Sequence, residues 1–180
     1  MPITLNGSGT VTGISTGGIS DTKAVADAAM PAGSIIQTVQ TVKSDAFSTT
    51  STSFVDITGL SVDITPTSTS NKILVTATID AFDQRTNSYN SMGLVLLLRG
   101  STGLIGGHMR GRIDNSDTAN YFNSGGHVSV KFLDSPSTTS QITYKIQGVN
   151  WAANSTLFVN NEAGSTYFSK STIIAQEVAA

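Results

Sequence analysis

The chain reads as short alternating apolar segments divided by Ser, Thr, Gly and Pro. Leu60, Val62 and Ile64 fall on one face of a strand, with Ser61 and Asp63 on the other. Ile73, Val75, Ala77, Ile79 and Ala81 alternate with Lys72, Thr76, Thr78 and Asp80, which predicts a longer half-buried strand. Further strands are predicted at Ile35 to Val42, Phe54 to Ile57, Val128 to Phe132, Ile142 to Ile146, Thr156 to Val159 and Thr172 to Val178. Thr58 and Gly59 separate the Phe54 strand from the Leu60 strand. Met92 to Leu98 is apolar on both faces, which suits a central strand covered on both sides. Residues 104–124 are weakly patterned and predict a long loop with at most one short strand. Pro66 to Asn71 and Pro136 to Gln141 each place a Pro turn and a Ser/Thr loop before a strand, as two similar corners of one sandwich would. Eight or nine strands with this punctuation predict an all-β fold, a β-sandwich or jelly roll, over residues 34–180.

Residues 1–33 depart from this pattern. They are rich in Gly, Ser and Thr, with Leu5, Val11, Ile14 and Ile19 isolated among them. So little apolar area does not offset the entropy of ordering the segment alone. The segment is expected to be an N-terminal arm that orders along a partner or along symmetry mates, attached through those four side chains. One short helix is predicted within it, from Asp21 to Met30, capped by Ser20 or Asp21 and ended by Pro31, Ala32 and Gly33.

Composition narrows the function classes. About a quarter of the 180 residues are Ser or Thr, 12% are charged and 38% are hydrophobic. A core this thin predicts burial completed by oligomerisation. The net charge of −2 includes no basic stripe, so neither nucleic acid nor an anionic membrane surface is an expected partner. The longest apolar run, Leu94 to Leu98, is too short to span a bilayer, and no membrane insertion is expected. The first seven residues lack the charged and apolar regions of a secretory signal. With no Cys, disulfides and thiolate metal sites are excluded, while the redox compartment stays open.

Candidate chemistry is sparse. His108 and His127 lack the spacing of a compact metal motif. Asp80, Asp83 and Arg85 lie close in sequence, as do Asp114 and Asp117. Paired carboxylates can cleave glycosides, but surface ion pairs and loop caps account for these. The glycines from Gly103 to Gly107 are not followed by a P-loop Lys, and no Gly-x-Ser-x-Gly elbow occurs. A non-enzymatic protein without metal or cofactor is expected. Tyr89, Tyr121 and Trp151 lie in predicted loops beside Asn87, Asn90, Asn120 and Asn150. Aromatic faces next to amide donors suit a sugar ring, which makes a host surface glycan the candidate ligand. The simpler expectation is that Trp151 plugs the end of the core.

Several stretches carry a family resemblance. Leu5 to Ile14 (LNGSGTVTGI) and Gly33 to Gln37 (GSIIQ) resemble segments of structural proteins from marine and cyanobacterial tailed phages. Thr52 to Pro66, Ser70 to Val75, Leu133 to Ser140 and Thr143 to Gln147 are similar to the same group, whereas residues 83–125 match it poorly. That family consists of virion proteins, commonly tail fibres or fibre-like proteins. The resemblance implies a homotrimer of β-sandwich heads in the virion, assembled in the host cytoplasm. Its N-terminal arms would run to other virion proteins of the baseplate, tail or capsid. It offers no catalytic motif. Two other expectations are kept beside it: a capsid decoration protein that cements the shell, and a free carbohydrate-binding module that needs no arm.

Overall fold

The computed structural model describes residues 4–5, 11–12, 30–85, 90–112, 122–151, 155–160 and 169–180. Two short strands near the N-terminus, β1 (Thr4–Leu5) and β2 (Val11–Thr12), pair antiparallel, with Leu5 opposite Val11. Ile14, Ile19 and the predicted helix lie outside the described residues, apart from Met30 at the end of that helix.

Ten further strands follow: β3 (Ile35–Lys43), β4 (Phe47–Thr49), β5 (Val55–Ile64), β6 (Lys72–Arg85), β7 (Asn90–Arg99), β8 (Thr102–Arg112), β9 (Phe122–Asp134), β10 (Ile142–Asn150), β11 (Ser155–Val159) and β12 (Ser171–Val178). One sheet has the order β5-β10-β7-β8. The other is built on β6, the longest strand. Along one side of β6, β11 pairs with Ala81–Arg85 and β12 with Lys72–Thr78; along the other runs β9. β11 and β12 therefore act as one interrupted strand, and β4 and β3 line up outside them in the same way. With these merged, the two sheets read β3-β12-β6-β9 and β5-β10-β7-β8, every pair antiparallel. This is the double Greek key of a jelly roll.

Alternation supplies the core. β12 buries Ile173 and Ala175, β6 buries Ile73, Val75, Ala77 and Ile79, and β10 buries Ile142, Tyr144 and Ile146 between the sheets. Each such Val or Ile side chain contributes about 1.5–3 kcal/mol. The two Ser/Thr corners behave as the sequence predicts. Residues 65–71 cross from β5 to β6 and residues 135–141 from β9 to β10, each passing from one sheet to the other. Both hold the same local turn: Ser70 N–H donates to Ser68 Oγ (3.3 Å), and Ser140 N–H donates to Thr138 Oγ1 (3.1 Å).

Three expectations are corrected. Thr58 and Gly59 do not divide two strands. They are a bulge within β5, where a positive φ of 79° at Gly59 resets the alternation and buries both Ile57 and Leu60. β7 is central in its sheet, yet its outward Leu94 and Leu96 are only half-buried, so the strand is not covered on both sides. Of the expected loop, residues 104–112 belong to strand β8 and residues 122–124 to β9. The alternation of β8 is hidden because glycine occupies a close approach of the two sheets. A Cβ on Gly107 would lie 2.6 Å from Val128 Cγ1 and 3.2 Å from Val130 Cγ1. Gly107→Val is expected to destabilise the fold by about 1–3 kcal/mol. Urea denaturation checks this, and an unchanged midpoint would refute the close approach.

The interruption of the paired strands is held by one side chain. Asn160 takes a positive φ of 68°, and its Nδ2 donates to Lys43 O (2.8 Å) and Asp45 O (3.0 Å). Its Oδ1 accepts from Ser171 Oγ at 2.6 Å, and Ser171 Oγ in turn accepts from Asp80 N–H at 3.0 Å. Both breaks are thus stitched to β6, and the buried backbone groups they free are satisfied.

Candidate functional site

The sandwich has two unlike ends. At one, Gly33 N–H donates to Ala179 O and Ala179 N–H to Ser34 O, both at 2.9 Å, so residues 30–34 enter beside the last strand. Two polar clusters close this end. Buried Glu177 accepts from Thr67 N–H (2.7 Å), Thr67 Oγ1 (2.8 Å), Asn71 Nδ2 (2.8 Å) and Gln37 Nε2 (2.5 Å). Burial alone would push its carboxyl up. The donors of Asn71, Gln37 and Thr67 outweigh that and hold it below the ordinary value. In the second cluster, Arg99 Nη1 binds both oxygens of Asp134 (3.0 and 2.9 Å), and Tyr144 Oη donates to Asp134 Oδ2 at 2.7 Å. Burial first, and then the Asp134 carboxylate, push the Tyr144 phenol far up, so it stays a donor.

At the opposite end the strands stop at Arg85, Asn90, Arg112, Phe122, Asn150 and Ser155. The registers Arg85 with Phe122 and Ser155, Asn90 with Arg112, and Asn150 with Gly93 bring these ends together. Segments 86–89, 113–121 and 152–154 therefore begin and end here. Tyr89 and Tyr121 belong to two of them and lie outside the described residues, as do Asp114 and Asp117. Trp151 is described, and it is 66% exposed. It does not plug the core. Strand alternation turns Asn150 inward and Trp151 outward, and the core end is closed by buried Asp83, Asn150 and Ser155. The Ser155 hydroxyl donates to Asn150 Oδ1 and lies 3.2 Å from Asp83 Oδ1, while Asn150 Nδ2 donates to Ser155 O.

The remaining candidates are kept apart by the pleat. Asp80 faces outward, 3.8 Å from exposed His127 Nδ1, whereas Asp83 faces the core. His108 is exposed on β8, in the other sheet from His127 on β9. Among the described residues no group of three His, Cys, Asp or Glu could hold a metal ion. The sequence reading missed Phe54 as a surface residue: it is 44% exposed, just ahead of β5. Its place at the strand boundary, after Ser51, Thr52 and Ser53, is the signal that could have found it.

No family model matches the chain, and no curated protein matches it. Among solved structures it is similar to capsid proteins of infectious bursal disease virus. For the VP2 subviral particle the identity is 14% and the TM-score 0.28, covering 80% of this chain and 37% of that one. For the virus-derived T=1 particles they are 16% and 0.29, covering 82% and 37%. The chain thus spans little more than a third of those proteins, and superposition this loose carries no argument about function.

Proposed function

We propose that this chain is a non-enzymatic structural protein of a phage virion, a homotrimeric tail fibre or fibre-like head anchored by its N-terminal arm. The observation that carries the reading is the polarity of the jelly roll. The entry at residues 30–34 and the last strand share one end, and exposed Trp151 lies at the other. An arm bound to the particle would therefore leave the Trp151 end facing outward. The sequence resemblance to phage fibre proteins supports the same reading. The jelly roll serves both viral shells and lectins, so topology alone does not choose between them. Three weak contacts per trimer, multiplied over several fibres, would give firm attachment without a strong single site.

Light scattering after gel filtration tests the assembly. The full chain is expected at three times 18.7 kDa. A chain lacking residues 1–33 is expected to keep its melting temperature and to lose attachment to particles. A full-length chain of 18.7 kDa would contradict a self-assembling fibre. A truncated chain that binds its target unchanged would favour a free carbohydrate-binding module.

A further inference from the structure

Six large hydrophobic side chains are exposed among the described residues: Ile35, Val42, Phe54, Ile105, Leu133 and Trp151. The two aromatic ones share a corner. Trp151 follows the last residue of β10, and Phe54 precedes Val55, which pairs with Gly148 of β10. The Ser51 carbonyl ties the two segments together by accepting from Asn150 N–H at 2.9 Å.

Neither ring sits on a loose tether. Trp151 N–H donates to Met92 O at 3.2 Å, and the preceding Asn150 is fully buried. On the other side, Ser51 Oγ donates to Ser53 O (2.7 Å) and accepts from Ser53 N–H (3.1 Å), and Ser51 N–H donates to Thr49 Oγ1 (3.1 Å). Rings held on a fixed backbone cost little entropy when they take up a ligand.

The surroundings set the ligand's charge. The charged residues of β5 and β10 nearest the corner, Asp56 and Lys145, pair with each other at 2.9 Å on the outer face. Gln147 Nε2 adds a bond to Asp56 Oδ1 at 2.8 Å. The corner itself offers the Thr52 and Ser53 hydroxyls, both on exposed residues. Two aromatic faces with an uncharged hydrogen-bonding rim match a molecule with apolar C–H faces, hydroxyl edges and no net charge.

We propose that the Trp151–Phe54 corner binds neutral saccharides by stacking a sugar ring on Trp151. This rests on reading that end of the molecule as the outward one. Lys145 on β10 is already paired with Asp56 and is not free to hold an acidic sugar. A second copy of the chain is disfavoured as the occupant because, among the described residues, the large hydrophobic side chains exposed at this corner are the two rings.

Trp151 is the sole tryptophan, so its emission reports this site in the full chain. Titration with neutral oligosaccharides ending in glucose, galactose or mannose is expected to shift that emission saturably, with little dependence on salt. Trp151→Ala should weaken binding about tenfold on a glycan array while leaving the melting temperature unchanged, and Trp151→Phe should retain part of it. Array binding that is unchanged in Trp151→Ala would overturn the proposal, as would binding confined to sialylated or sulfated sugars and abolished by salt. Emission that shifts with protein concentration alone would show a second copy on the corner and overturn it too. Absence of the chain from particles would defeat the virion reading, yet would leave saccharide binding by Trp151 intact.

Discussion

Tyr144→Ala is expected to remove about 3–5 kcal/mol of stability, the cost of deleting a large aromatic ring from a close-packed core. Tyr144 is fully buried between the sheets, on the strand that joins β5 to β7. Its hydroxyl also donates to Asp134, which Arg99 holds from the other side. The alanine variant therefore opens a cavity and takes a donor from a buried carboxylate at once. Tyr144→Phe separates the two effects. It keeps the ring and leaves the Arg99–Asp134 pair in place, so a loss of about 1–2 kcal/mol is expected. A domain of this size holds about 5–15 kcal/mol in total, so Tyr144→Ala removes a large share and Tyr144→Phe a small one. Urea denaturation of both variants checks this. Equal losses would mean that the hydrogen bond, and not the ring, carries the stability.

Glu177→Ala is expected to cost about 2–4 kcal/mol, because it takes the shared acceptor from Thr67 and Gln37 and leaves the buried Asn71 amide only its longer bond to Thr67 Oγ1 at 3.2 Å. Gln37 and Thr67 can turn partly to water, which keeps the loss below that of a fully enclosed ion. Glu177→Gln retains one acceptor and should fall between. The acid dependence follows from the same contacts. The folded-state carboxyl ionises at lower pH than the unfolded one, so ionised Glu177 stabilises the fold above the ordinary Glu value of about 4.3. That contribution is lost as pH falls through the lower folded-state value. Midpoints measured from pH 6 downward should drop more steeply in the wild type than in Glu177→Gln. Because Glu177 ties β12, β3 and the 65–71 corner together, acid should loosen the end where residues 30–34 enter before it reaches the opposite end. Hydrogen exchange at Gly33 and Ala179 would show this.

The strands that sequence made plain are those whose inward positions carry large side chains. Ile73 to Ala81, Leu60 to Ile64 and Ile142 to Ile146 alternate openly, and each lies in the core as expected. The two Pro corners were equally legible, because Ser/Thr turns advertise themselves locally. β8 was not, since Gly107 occupies a core position where the sheets approach too closely for a side chain. β4 went unseen because it is three residues long and pairs only as the continuation of β3. Gly59 looked like a strand break, yet in the sheet its positive φ makes a bulge that keeps the ladder going.

At the candidate site, the meeting of the strand ends Arg85, Asn90, Arg112, Phe122, Asn150 and Ser155 at one end depends on strand order, which no local pattern encodes. The outward turn of Trp151 was within reach of alternation. Counting from Ile146, Gly148 and Asn150 fall inward and Trp151 outward. The rarity of tryptophan in a thin core argued for burial, and the pleat prevailed over that composition argument.

The proposed role makes this chain a built-in part of a phage particle. Immunogold electron microscopy of gradient-purified particles, with antibody raised against residues 34–180, tests it most directly. Gold is expected on intact particles, at the tail or fibres, and is expected to be lost when residues 1–33 are deleted from the gene. Particles that carry no gold while the chain remains in the soluble lysate would contradict that role.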